Sequence, residues 1–237
     1  MGLDIRVGML AELTEEDPEG AEFHRETLGH LDAVLADAGL PPHQEPASLP
    51  SGDRFEAQMW GYGGLHHVRR LAAHLDIAGS LPPPCTYEEA TQDPLLGRYY
   101  AACDAYFAPP RGLLSRLRAK PKPPRFLHLM AHSDCEGFYI PRVLPDVVFD
   151  RAPEPRPGIG GMVGSSVNLA AEVAALCEAL GIPTDLDPED EAVFENAESP
   201  PAGGADWERF GVETFCLTRL RRACEVSLRT GAAVVFT

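Results

Sequence analysis

The apolar positions of the chain fall into two periodicities. Five short runs, Leu3 to Met9, Phe55 to Trp60, Phe126 to Ala131, Val143 to Phe149 and Ala232 to Phe236, read as strands from their length and their Gly or Pro flanks. Between them the spacing turns helical. Phe23, Thr27, Leu28, Leu31, Val34, Leu35 and Ala38 form a stripe that Gly39 stops. Similar stripes run through Leu65, Val68, Leu71 and Leu75, through Leu96, Tyr99, Cys103 and Tyr106, and through Leu169, Val173, Leu176 and Leu180. A last helix, opened by Asp206 and ended by Gly231, carries Trp207, Phe210, Leu217, Leu220 and Cys224. Asp17-Pro18 and Asp93-Pro94 each place a capping acid before a proline at the first helical position. Strands interleaved with helices predict an α/β protein, with a mixed α+β arrangement as the variant. One mixed sheet covered by helices, in one domain over 1–237, is the expected architecture. Pro145 confines the 143–149 run to an edge.

Chemistry-bearing residues concentrate in Arg125 to Pro141, RFLHLMAHSDCEGFYIP. An apolar run there ends abruptly in His132-Ser133-Asp134-Cys135-Glu136-Gly137. If 126–131 is a strand, the polar cluster lies beyond its carboxyl end, where open α/β sheets carry ligands. Strand alternation would put His128 and His132 on one face, about 13 Å apart at ~3.3 Å per residue, too far to share a metal ion. A small-ligand site would use Cys135 as a thiolate nucleophile, His132 as general base, and Asp134 or Glu136 to orient the base. Ser133, Tyr62 and the Ser165-Ser166 helix start would line it. The reaction class expected is Cys-dependent hydrolysis or group transfer. Two flanking acids work against the thiolate. A metal variant adding His66 or His67 packs three ligands into four consecutive residues, so no metal is assigned, and a cofactor is left open. The structural alternative has Ser133 and Asp134 capping a tight loop around a buried Cys135.

Charge opens a second reading. Asp and Glu number 36 against 20 Lys and Arg, a formal net charge of −16. That balance speaks against a protein that grips nucleic acid by neutralising phosphates. It fits a basic protein partner, an immunity-type acidic interaction protein, or solubility and composition bias alone. Thr184 to Ala205 reads as a Pro/Gly-rich acidic loop with seven carboxylates, and Thr14 to Glu22 holds five more. Against this background Arg111 to Arg125 carries six basic residues and no acid, in a Pro-interrupted strap at about 109–125.

The remaining features set bounds. The glycine run Gly158 to Ser166 has neither dinucleotide-fingerprint spacing nor a Walker lysine; its helix start is read as N-capped by Ser165 or Ser166, or as a weak anion cradle. His66, His67 and His74 read as surface histidines. Six cysteines without a CxxC pair suggest reduced thiols. No 18-residue apolar stretch and no cationic, apolar leader occur, so a cytoplasmic location is expected. The expected partners are a small-molecule ligand or a basic protein, with nucleic acid and membrane set aside.

Four islands carry a resemblance: Met1-Gly2-Leu3-Asp4-Ile5, Trp60-Gly61-Tyr62-Gly63, Ser133-Asp134-Cys135-Glu136-Gly137, and Gly231-Ala232-Ala233-Val234-Val235-Phe236. In this order the chain resembles a family of short bacterial and prophage-encoded proteins of unknown function. The resemblance implies a shared map and no mechanism. The chain departs from it by a Pro-rich insertion between the SDCEG loop and the Ser165-Ser166 helix start.

Overall fold

The computed structural model describes residues 3–61, 63–108, 122–133 and 135–237. Six strands make its centre: β1 (Asp4–Val7), β2 (Phe55–Gln58), β3 (Gly137–Ile140), β4 (Val148–Phe149), β5 (Met162–Ser165) and β6 (Val234–Phe236). They form one mixed sheet in the order β2-β1-β6-β3-β5-β4. β3 and β5 are parallel; the other neighbours are antiparallel. The chain's two ends meet in it, since Asp4 and Thr237 exchange backbone hydrogen bonds of 3.0 Å.

Around the sheet lie α1 (Met9–Glu16), α2 (Pro18–Asp37), α3 (Gly63–Ile77), α4 (Tyr87–Thr91), α5 (Pro94–Phe107), α6 (Leu127–Ala131), α7 (Ser166–Leu180), α8 (Glu191–Glu198), α9 (Asp206–Arg209) and α10 (Gly211–Thr230). The strand period of two sorts side chains onto two faces. Ile5, Val7, Tyr139, Val234 and Phe236 join the larger core, with Val68 and Leu71 of α3, Leu169 and Val173 of α7, and Leu217 and Leu220 of α10. Phe138, Ile140, Val163 and Val235 meet Leu31, Val34 and Leu35 of α2 on the opposite face. This is an α/β fold with helices on both faces of a mixed sheet, as the interleaved periods imply. The two Asp-Pro starts are real caps: Asp17 accepts from the Gly20 N–H and Asp93 from the Leu95 N–H.

Three local expectations are corrected. First, Leu3 to Met9 is not one strand, because Gly8 at φ 82° turns the chain and Met9 starts α1. Second, 126–131 is not a strand: Phe126 precedes a single buried helical turn, α6, and the strand begins at Gly137. A six-residue apolar run cannot be told from a buried helix by periodicity alone. What settles it is a carboxylate from elsewhere: Glu172 of α7 accepts from the N–H groups of His128 (3.0 Å) and Leu129 (2.8 Å). Third, the 184–205 segment is not all loop, since Glu191 to Glu198 is α8, packed through Val193 and Ala197. Residues 143–149 contribute only β4, at the edge that Pro145 called for. Of the basic strap, 109–121 lies outside the described residues.

Candidate functional site

Because α6 replaces the expected strand, the His132 to Glu136 cluster lies before β3 instead of beyond a strand's carboxyl end. Its members face different ways. His132 is buried, with Nδ1 2.9 Å from the Ser133 carbonyl and Nε2 3.1 Å from the Phe138 carbonyl. The ring thus brackets both ends of the loop, stacked on Tyr139 with centroids 3.9 Å apart. Burial pushes its pKa down to about 4, against the pull of the two carbonyls. Cys135 and Glu136 are exposed. The Cys135 thiol has the Ser133 hydroxyl 3.4 Å away, and that oxygen also accepts from the Cys135 N–H. Imidazole and thiol therefore share a loop without sharing a hydrogen bond. Tyr62 and Asp134 lie outside the described residues.

Close backbone approach shapes the loop. Gly160, at φ 64°, lies against it so tightly that a Cβ there would collide with the Glu136 carbonyl and the Ser133 side chain.

Ser165 and Ser166 are fully buried and spoken for. The Ser165 hydroxyl donates to the Arg142 carbonyl (2.6 Å) and accepts from the Asn168 N–H, which makes it the N-cap of α7. Its N–H donates to His128 Nδ1 (3.1 Å), which leaves the His128 proton on Nε2, facing the Leu144 carbonyl at 3.2 Å. Burial lowers the His128 pKa to about 4, so the ring is neutral near pH 7. Ser166 bonds Ser227, whose own hydroxyl donates to the Ala232 carbonyl. Glu172 completes this seam: burial raises its carboxyl to about 7 against the amides it accepts from.

One arrangement escaped the sequence reading, and a second was seen there only as an acidic loop. His67 is buried, not at the surface, with Nδ1 3.6 Å from Glu213 and 3.9 Å from the Cys85 sulfur. Burial opposes its charge, but Cys85 and Glu213 win and hold it at about 9. Nothing in the local pattern signalled this, because its three members lie far apart in sequence. Among the described residues no group of three or more ligating side chains is placed to hold a metal ion. All six cysteines are free.

The second arrangement is the acidic segment. Asp185, Asp187, Glu189, Asp190, Glu191, Glu195 and Glu198 are all exposed. Arginines of α10 hold it in place. Arg221 donates to the Pro183 and Leu186 carbonyls (3.0 and 2.9 Å), and the buried Arg219 pairs with Glu189 at 2.9 Å while lying over the Phe215 ring. Asp187 and Asp190 cap the turns that follow them. The carboxylates of Asp185, Glu191, Glu195 and Glu198 make no hydrogen bond or ion pair to another described residue. Glu191, Glu195 and Glu198 stand at i, i+4 and i+7, hence on one face of α8. Their axial spacing is about 5 Å at ~1.5 Å rise per residue, the same order as the ~3.4 Å of helix axis per phosphate of one DNA strand.

A family model described as "Putative DNA-mimic protein" matches residues 1–236. The chain belongs to that family. No curated protein and no solved structure matches it. Membership corrects the partner expectation, which had set nucleic acid aside and kept a small molecule as one option. A family described by its imitation of DNA brings nucleic-acid chemistry back, through the imitation itself. The charge of −16, which argued against gripping phosphates, is what resembling them requires. No helix among the described residues is long and apolar enough to cross a membrane.

Proposed function

We propose that this protein is an acidic decoy: it occupies the DNA-binding face of a basic, DNA-binding protein in the cytoplasm and keeps DNA off it. The observation that carries the reading is the α8 segment, a row of exposed carboxylates without partners among the described residues, which follows a turn held at Pro183, Leu186 and Glu189 by Arg221 and Arg219 of α10. Charge laid out this way speeds encounter with a basic surface and competes for the same Lys and Arg side chains that phosphates would engage. The family description points the same way.

The test is displacement of a basic, sequence-nonspecific DNA-binding protein from a labelled duplex. The chain should displace it at low salt and progressively lose that ability as salt rises. The triple variant Glu191→Gln/Glu195→Gln/Glu198→Gln should displace about tenfold less well, with an unchanged melting temperature. Displacement that ignores both salt and the triple variant would rule the decoy reading out.

A further inference from the structure

The free edge of β2 offers the decoy more than charge. Among the described residues β2 ends the sheet and pairs only with β1. Met59 donates to the Leu3 carbonyl at 2.8 Å, which makes Leu3 and Met59 a hydrogen-bonded pair. Such pairs alternate along an antiparallel ladder. Ala57 therefore turns its N–H and C=O toward β1, and Glu56 and Gln58 turn theirs outward. Asp4, opposite Gln58, spends its own backbone groups on Thr237, as the alternation demands. No described loop or side chain bonds the outward groups of Glu56 and Gln58.

An open cleft of about 750 Å³ runs along this edge. Six consecutive residues, Glu56 to Gly61, line it. Since successive strand side chains point to opposite faces, consecutive lining means that the main-chain edge itself forms the wall. The other wall is Phe194 of α8 with Phe215 and Arg219 of α10, and Glu189 stands at the rim. Phe194 is 38% exposed, and Trp60 meets Phe215 edge-on at 5.1 Å between centroids. The Arg219 charge is already met by Glu189 and by the Phe215 and Phe194 rings.

We infer that this cleft docks an extended basic segment of the partner, which adds a strand to β2 through the outward groups of Glu56 and Gln58. Lys or Arg stems would lie on Trp60 and Phe194, with their charged ends joining the ion pairs at the rim, Glu56 with Arg6 at 2.8 Å and Glu189 with Arg219 at 2.9 Å. The inference rests on the decoy reading and gives it an anchor and an orientation. An exposed strand edge is also a hazard for self-pairing, so a second copy of the chain is the competing occupant.

The probe is a short capped peptide of alternating Lys and Val, with amide exchange at Glu56 and Gln58 as the readout. The expected result is saturable binding that slows exchange at both amides by about tenfold or more. Gln58→Pro removes one outward N–H and spares the β1 ladder, a substitution that edge strands tolerate. It should abolish the protection of the remaining Glu56 amide, whereas Gln58→Ala should keep protection at both positions. The inference is overturned by binding that Gln58→Pro leaves intact, by protection confined to α8, by no binding at all, or by dimerisation through β2 without peptide. The displacement assay with the α8 triple variant is independent of β2, so decoy activity that survives such an outcome separates this failure from that of the parent reading.

Discussion

The seam between α6 and β3 and the row of carboxylates on α8 use the same side-chain types to opposite ends. In the seam, Glu172, His128, His132 and Arg69 are buried, and each polar group meets a backbone partner: Glu172 takes two amides, and Arg69 donates to the Leu129 and His132 carbonyls. On α8, the carboxylates of Glu191, Glu195 and Glu198 are exposed and have no partner among the described residues. A buried polar group must be satisfied within the protein, so its chemistry is consumed by the fold. An exposed carboxylate held on a rigid helix stays available to a partner. The buried groups of the seam, His132 among them, serve the scaffold, and the acidic stretch is the candidate surface.

Removing Glu172 should break the seam most severely. Glu172→Leu leaves the His128 and Leu129 amides without an acceptor, at about 2–4 kcal/mol by denaturant unfolding. His132→Phe keeps an aromatic ring on Tyr139 but removes the single N–H that the neutral ring can donate to one of its two facing carbonyls, and should cost about 1–3 kcal/mol.

The pH dependence separates the two groups. A histidine depressed from 6.5 to about 4 contributes stability that is present above pH 6.5 and lost as pH falls through 4. His128 acts in the same direction. Glu172, raised to about 7, works oppositely: its contribution is complete below pH 4.5 and lost as pH rises through 7. Stability curves of His132→Phe should lose up to ~1.4 kcal/mol per pH unit of the acid-side slope between pH 6.5 and 4. An unchanged slope would mean that His132 is charged in the fold. Cys135→Ser should shift stability by less than ~0.5 kcal/mol, as an exposed site does. A larger loss would place the thiol in a packed environment.

Much of the fold was legible because its signals are local. The Asp-Pro caps, the Gly39 and Gly231 stops and the α2, α7 and α10 stripes all sit in contiguous sequence. The terminal strand, expected over Ala232 to Phe236 and observed as Val234–Phe236, was legible too, though not its place between β1 and β3. The 126–131 run was misread because its helical state is fixed by Glu172, more than forty positions away. His132 looked like a base because the sequence shows its neighbours and not the carbonyls that close over it. The acidity of 184–198 was visible at once. Its anchoring was not, since that comes from Arg219 and Arg221 on a later helix.

The most direct measurement compares two variants in one displacement assay with a melting scan beside it. The account predicts that Glu191→Gln/Glu195→Gln/Glu198→Gln weakens displacement of a basic DNA-binding protein about tenfold at unchanged melting temperature, while Cys135→Ser alters neither. Displacement that survives the triple variant but falls with Cys135→Ser would contradict it and return the SDCEG loop to the centre of the function.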